Sequence, residues 1–134
     1  MEKAWEATEN SYAPYSRFRV GCAVLLESGE IILGSNQENR AYPSGLCAER
    51  NALFHIGAMG KAPGIRKIAI RAGSDRKIID EPAMPCGGCR QVMVEYEQQC
   101  DTVFVVLSQG AIGPIMRVEG AQDTLMPFSF DLDF

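Results

Sequence analysis

The chain has 134 residues, 46% of them hydrophobic and 22% charged, which suits one ordinary domain with a single core. A formal net charge of −4 argues against a groove built to hold a polyanion, because phosphate binding draws on clustered Lys and Arg. No apolar run approaches the roughly 20 residues of a membrane helix, and Met1-Glu2-Lys3-Ala4-Trp5-Glu6 lacks the basic-then-apolar order of a secretory signal. A cytoplasmic protein without membrane or nucleic-acid partners is expected. In a reducing compartment, five cysteines are better explained as metal ligands plus buried thiols than as a disulfide framework.

Residues 3–10 read as a short helix, stopped where Ser11-Tyr12-Ala13-Pro14 brings in a turn. From Phe18 to Leu26 the chain is almost continuously apolar, the pattern of a strand buried on both faces. Ser28-Gly29 marks a hairpin turn, and 30–38 the returning strand. Side chains two apart on a strand share a face, so Asn36 and Glu38 present an amide and a carboxylate together. Spacing alone leaves two uses open, gripping a hydroxyl or lining a solvated strand end.

After the break at Pro43-Ser44-Gly45, a helix is predicted from Cys47 to Gly57 or Ala58, apolar nearly all round and hence central. Lys67 to Ala72 reads as a third strand, and 73–84 as a loop. Cys89, Val92, Met93 and Tyr96 then form one stripe of an amphipathic helix. Val103 to Leu107 is a fourth strand and Pro114 to Val118 a fifth. The order ββαβαβ(β) predicts a single α/β domain over 1–134, three-layer α/β/α, with a mixed sheet of about five strands.

The chemistry gathers at two segments, Cys47-Ala48-Glu49-Arg50 and Pro85-Cys86-Gly87-Gly88-Cys89. Cys86 and Cys89 are three apart, so at a helix start both sulfurs can face one point, and a helix N-terminus favours the thiolate. Cys47, Cys86 and Cys89 supply three thiolates, enough for a zinc ion whose fourth position stays open, with Glu49 as a base beside it. Arg50, three residues past Cys47, can donate to a ligand sulfur and offset the charge of the cluster; the alternative is an exposed helix arginine. Cys22 and Cys100 read as buried small apolar residues. His55 lies about 12 Å of helix rise beyond Cys47, too far to share the metal, and is expected against the core.

A bare Cys-x-x-Cys also fits a redox dithiol. The fuller pattern, Cys-x-Glu followed by Pro-Cys-x-x-Cys, is the signature of zinc nucleobase deaminases. The chain resembles the small homotetrameric cytidine deaminases in five segments: Tyr12 to Phe18 with Val20-Gly21, Asn36 to Asn39, Cys47 to Arg50, Pro85 to Gln91, and Leu125 to Phe130. That resemblance implies one Zn2+ on Cys47, Cys86 and Cys89, with Glu49 moving protons during hydrolytic deamination of cytidine and deoxycytidine. It further implies that Asn36 and Glu38 hold a ribose hydroxyl, that Phe18 lies along the pyrimidine, and that the Ala48 backbone helps read the base edge. Tyr42 and Phe130 would complete a neighbouring subunit's pocket in a homotetramer.

The chain departs from the family pattern at Arg40, where a small residue is usual, at Cys22, and in a shorter first helix. Arg40 motivates a rival reading, deamination of another aminopyrimidine nucleoside or analogue. A non-catalytic zinc-stapled binding protein is the alternative of a different class.

Overall fold

A computed structural model describes residues 1–130. The elements, in order, are α1 (Glu2–Ala7), a 3-10 turn (Thr8–Asn10), β1 (Phe18–Leu26), β2 (Ile31–Ser35), a 3-10 turn (Tyr42–Ser44), α2 (Ala48–Ala58), a 3-10 turn (Ala62–Gly64), β3 (Ile65–Ser74), α3 (Gly87–Glu97), β4 (Val105–Gln109) and β5 (Met116–Glu119). The five strands form one sheet in the order β2-β1-β3-β4-β5. β1 runs antiparallel to β2 and β3, β3 is parallel to β4, and β4 is antiparallel to β5. This is the mixed α/β sheet expected from the sequence, with α3 as the crossover joining the parallel pair.

The two faces of β1 serve different layers. Cys22, Val24 and Leu26 point to one side and join Ala52, Leu53 and Ile56 of α2, Met93 and Val94 of α3, and Ile68 and Ile70 of β3 in the main core. Ala23 points to the other side, where it packs with Ala69 and with Ala4 of α1. Glycine permits both helices to come this close. A Cβ on Gly21 would run into Ala4 O of α1 and lie 2.8 Å from Thr8 N in the turn after it, and one on Gly34 would run into the backbone of α2, 2.8 Å from Ala52 N. The third layer is thin, since α1 has only six residues.

Several boundaries differ from the sequence expectation. β2 ends at Ser35, so Asn36 and Glu38 lie beyond the strand. Gln37 instead pairs with Tyr12 on one side and Leu46 on the other, which keeps the chain extended without the β1 ladder. β3 is longer than 67–72 because β1 pairs with it over almost its whole length. β4 starts at Val105, leaving Phe104 as a fully buried core residue ahead of the strand.

α2 is not covered all round, as a central helix would be. Phe54, His55, Gly57 and Ala58 face outward, so His55 is on the surface and not against the core. Its helix position turns it away from the sheet, whereas Ala52, Leu53 and Ile56 occupy the inward stripe. Cys22 is fully buried as expected, but Cys100 is only half-buried, with its thiol donating to Tyr96 O and Ala62 O.

Candidate metal centre and adjoining cavity

Cys47 and Cys86 are the N-cap residues of α2 and α3, each in extended conformation with no side-chain cap hydrogen bond. Neither sulfur is spent on its own helix, and both lie where the helix termini concentrate positive partial charge. Cys89, one turn into α3, is fully buried. The three sulfurs lie within 4.8 Å of one another, with 3.7 Å between those of Cys47 and Cys86 and 3.5 Å between those of Cys86 and Cys89. A tetrahedral zinc with bonds of about 2.3 Å sets its sulfur ligands about 3.8 Å apart, so the cluster fits that ion in donor type and spacing. Among the described residues, no other group of His, Cys, Asp and Glu gathers in this way.

Arg50 Nη2 donates to Cys47 Sγ at 3.3 Å. Its Nε is buried without a partner, the one such side-chain nitrogen or oxygen among the described residues. A guanidinium held this way favours ionised sulfur nearby. In the metal-free cluster, hydrogen bonding from the Cys89 thiol and from Arg50 lowers the Cys47 pKa to about 5. Cys89 moves the opposite way, pushed up by its hydrogen bond to Cys47 and by burial. Glu49 is 4% exposed, and burial, helped by the Cys47 charge, raises its carboxyl pKa above the ordinary range.

A cavity of about 540 Å³ adjoins the cluster. Its floor carries Cys47, Ala48, Glu49 and Cys86, and its walls are largely apolar, with Phe18, Val20, Ile70, Ala83 and Met84. The loop bearing Ala83 and Met84 is pinned by the buried Ser108, whose Oγ donates to Ala83 O at 2.6 Å, and by Arg90 Nε, which donates to Pro85 O at 2.7 Å. A second cavity of about 480 Å³ lies beside it, lined by Tyr15, Gln37, Asn39, Tyr42, Leu46 and Arg50 among others. Ser16, Asn36, Glu38 and Cys47 border both.

Asn36 is held on three sides. Its Oδ1 accepts from Val20 N at 2.8 Å and from Ser11 Oγ, and its Nδ2 donates to Phe18 O at 2.9 Å. One amide hydrogen remains to offer. Glu38 Oε2 accepts from Tyr15 N at 3.0 Å and from Ser16 N at 3.2 Å, which leaves Oε1 as an acceptor. The pair thus presents one donor and one acceptor, the complement of a hydroxyl.

The structure brings Phe18, Asn36, Glu38, Ala48 and Glu49 to the cavity beside the cysteines, while Tyr42 borders only the outer one. Tyr42 is 83% exposed. Phe130 is outside both cavities and 72% exposed, its backbone N–H and C=O paired with the Gln91 side-chain amide at 3.0 and 2.9 Å. Arg40 is exposed. Sequence reasoning missed Tyr15 and Ser16 as the holders of Glu38, because backbone donors leave no mark on residue type. It also missed Ala83 and Met84, which sit in a loop with no periodicity.

A fold with two helix N-termini converging on three cysteines and a buried carboxylate defines a class of metal-binding deaminase-type domain. Residues 1–106 match a family model described as the cytidine and deoxycytidylate deaminase zinc-binding region, and the chain belongs to that family. It is 41% identical over 130 residues to a cytidine deaminase of Halalkalibacterium halodurans, covering 97% of this chain and 90% of the relative. The crystal structure of cytidine deaminase from Burkholderia pseudomallei superposes with a TM-score of 0.83 at 37% identity, covering 96% of this chain and 94% of that one. The crystal structure of cytidine deaminase from Mycobacterium tuberculosis gives a TM-score of 0.69 at 29% identity, covering 98% and 94%.

Proposed function

We propose that this chain, as a single catalytic domain over 1–134, is a cytidine deaminase. It converts cytidine and deoxycytidine to uridine and deoxyuridine with release of ammonia. The observation that carries the reading is the buried Glu49 carboxylate, two residues past Cys47, at the floor of an apolar cavity and outside the three-sulfur cluster. A closed structural site would spend a fourth protein ligand, whereas three ligands and an adjacent acid suit hydrolysis.

In this reading Cys47, Cys86 and Cys89 hold one zinc ion per subunit. When bound, it supplies Lewis acidity that lets water act as a nucleophile near neutral pH. Glu49 accepts the proton from that water and delivers it to N3 of the ring, which makes C4 electrophilic. The hydroxide adds at C4, and Glu49 then moves the proton of the new hydroxyl to the amine as the C4–N bond breaks, leaving the carbonyl and ammonia. Its burial suits both roles, because desolvation raises the carboxyl pKa and so makes it a better base toward water. Phe18 lies along the pyrimidine, the Ala48 backbone meets the base edge, and Asn36 with Glu38 takes a sugar hydroxyl. Arg50 keeps Cys47 ionised.

Tyr42 and Phe130 are read as completing the pocket of a neighbouring copy in a homo-oligomer, a tetramer by resemblance. Their exposure in the single chain, and that of Phe54 on α2, supports this reading. Five free cysteines and no helix long and apolar enough to cross a membrane, among the described residues, are consistent with a cytoplasmic enzyme of pyrimidine salvage. The decisive variant is Glu49→Gln, measured for zinc content and for ammonia release from cytidine. Zinc is retained and turnover falls by about 10²- to 10⁴-fold; an active variant sinks the role assigned to Glu49.

A further inference from the structure

The turn before β1 touches both ends of the nucleoside site. Residues Ala13 to Arg17 close on a hydrogen bond from Arg17 N to Ala13 O at 3.0 Å, and Arg17 takes φ +56°, the one non-glycine with positive φ among the described residues. A left-handed arginine costs backbone energy, which persists only where neighbouring contacts enforce it. Two sets of contacts do so. On one side, the consecutive N–H groups of Tyr15 and Ser16 converge on Glu38 Oε2. On the other, Ser16 Oγ accepts from Phe18 N at 3.0 Å, at the first residue of β1.

We propose that Ser16 is a positioning residue for sugar recognition: it joins the Glu38 carboxylate to the start of β1 as one rigid unit, so the hydroxyl acceptor is aimed relative to the ring-facing Phe18. The proposal rests on the nucleoside reading of the site. Ser16 borders both cavities, on the ridge it shares with Asn36 and Glu38. Its hydroxyl satisfies the Phe18 N–H and still has a hydrogen to donate toward the carboxylate. Burial pushes the Glu38 carboxyl up, but hydrogen bonding from the Ser16 side chain and the two backbone N–H groups together outweighs it and holds the pKa below its ordinary value. Glu38 is thereby kept as an acceptor with one lone oxygen facing the site.

The role is specific to the sugar and is therefore separable from simple packing. Ser16→Ala is compared with the wild type on cytidine and on 2′,3′-dideoxycytidine, the latter followed as a substrate or as a competitive inhibitor. The KM for cytidine rises about tenfold, the loss of a hydrogen bond to a charged group, while kcat stays within about twofold. Dideoxycytidine lacks both ring hydroxyls, the ones assigned to Glu38, and keeps only the 5′-hydroxyl; its constant is unchanged. Ser16→Thr keeps the hydroxyl and restores most of the cytidine KM. In a Glu38→Gln background, Ser16→Ala adds little, as expected if it acts through Glu38.

Equal losses on both nucleosides, a fall in kcat at constant KM, or full additivity with Glu38→Gln would each overturn the positioning role. Thermal unfolding of each variant identifies a folding defect, and then the Ser16→Thr pattern on the two nucleosides decides. A wild-type protein that releases no ammonia from any cytosine nucleoside refutes the functional reading instead, so the two failures are distinct.

Discussion

Arg50 reaches back one helical turn to set its Nη2 3.3 Å from the sulfur of Cys47. A fixed cation is thereby placed on a cluster that would carry net negative charge with a divalent ion bound. Replacing it with glutamine keeps a donor but removes the charge. Zinc affinity or deaminase rate is expected to fall by about 10- to 100-fold, the usual cost of losing a partner behind a metal ligand. Metal analysis beside steady-state kinetics separates the two outcomes.

The metal-free protein should show a split among its thiols. The ordinary cysteine value of 9.0 falls to about 5 at Cys47, so its thiolate survives as the pH drops from 9 and is lost only near 5. Alkylation of Cys47, corrected for the reagent's own dependence, is expected to follow that low midpoint. Cys89, buried and pushed upward, stays unlabelled at neutral pH. Mass spectrometry of peptides labelled between pH 4 and 9 reads both, and added zinc should protect Cys47. A Cys47 midpoint near the ordinary value would contradict the assigned environment.

Gly34 is expected to be intolerant of a side chain. Alanine there meets the first turns of α2 at Ala48 O and Ala52 N, where backbone must move rather than a flexible side chain. Destabilisation of roughly 1–3 kcal/mol is expected, as for other overpacked contacts. Because the displaced turn carries Cys47 and Glu49, zinc retention should fall with it. Calorimetry with and without zinc checks this, and unchanged metal binding would show that the seat of α2 is not rigid.

Much of this arrangement was legible in advance, for local reasons. β1 declared itself because both of its faces are covered, which forces a continuous apolar run. The Cys86 and Cys89 pair was readable because three residues make one helical turn. The convergence of Cys47 on that pair depends on α2 and α3 packing side by side on one face of the sheet, and a motif pattern stood in for geometry there. Asn36 and Glu38 do face one cavity, but the end of β2 was misjudged because Gln37 pairs with Tyr12 and Leu46, partners that alternation along one strand cannot reveal. Phe54 and His55 looked central because apolar content does not say which face of a helix meets the sheet.

Gln91 ties down the backbone at Phe130. Gln91 pairs with both polar groups of the Phe130 backbone, imitating one rung of a sheet. Gln91→Leu removes both bonds, and a loss of about 1–2 kcal/mol in local stability is expected. Hydrogen exchange at the Phe130 amide should accelerate by about tenfold or more, with little change in the exchange of β1. Unaltered exchange would mean that Leu125 and its neighbours anchor the tail without help.

The order of α2, β3 and α3 along the chain bears on how the protein matures. Cys47 and Cys86 are 39 residues apart in the chain, and closing a loop of that length costs about 3 kcal/mol of chain entropy. During synthesis, the first sulfur leaves the ribosome well ahead of the other two. Until Cys86 and Cys89 have emerged, the nascent chain offers zinc only Cys47 of the three ligands. Metal capture is therefore a late step, gated by docking of α2 beside α3, and resistance to chelators becomes a clock for the completion of folding.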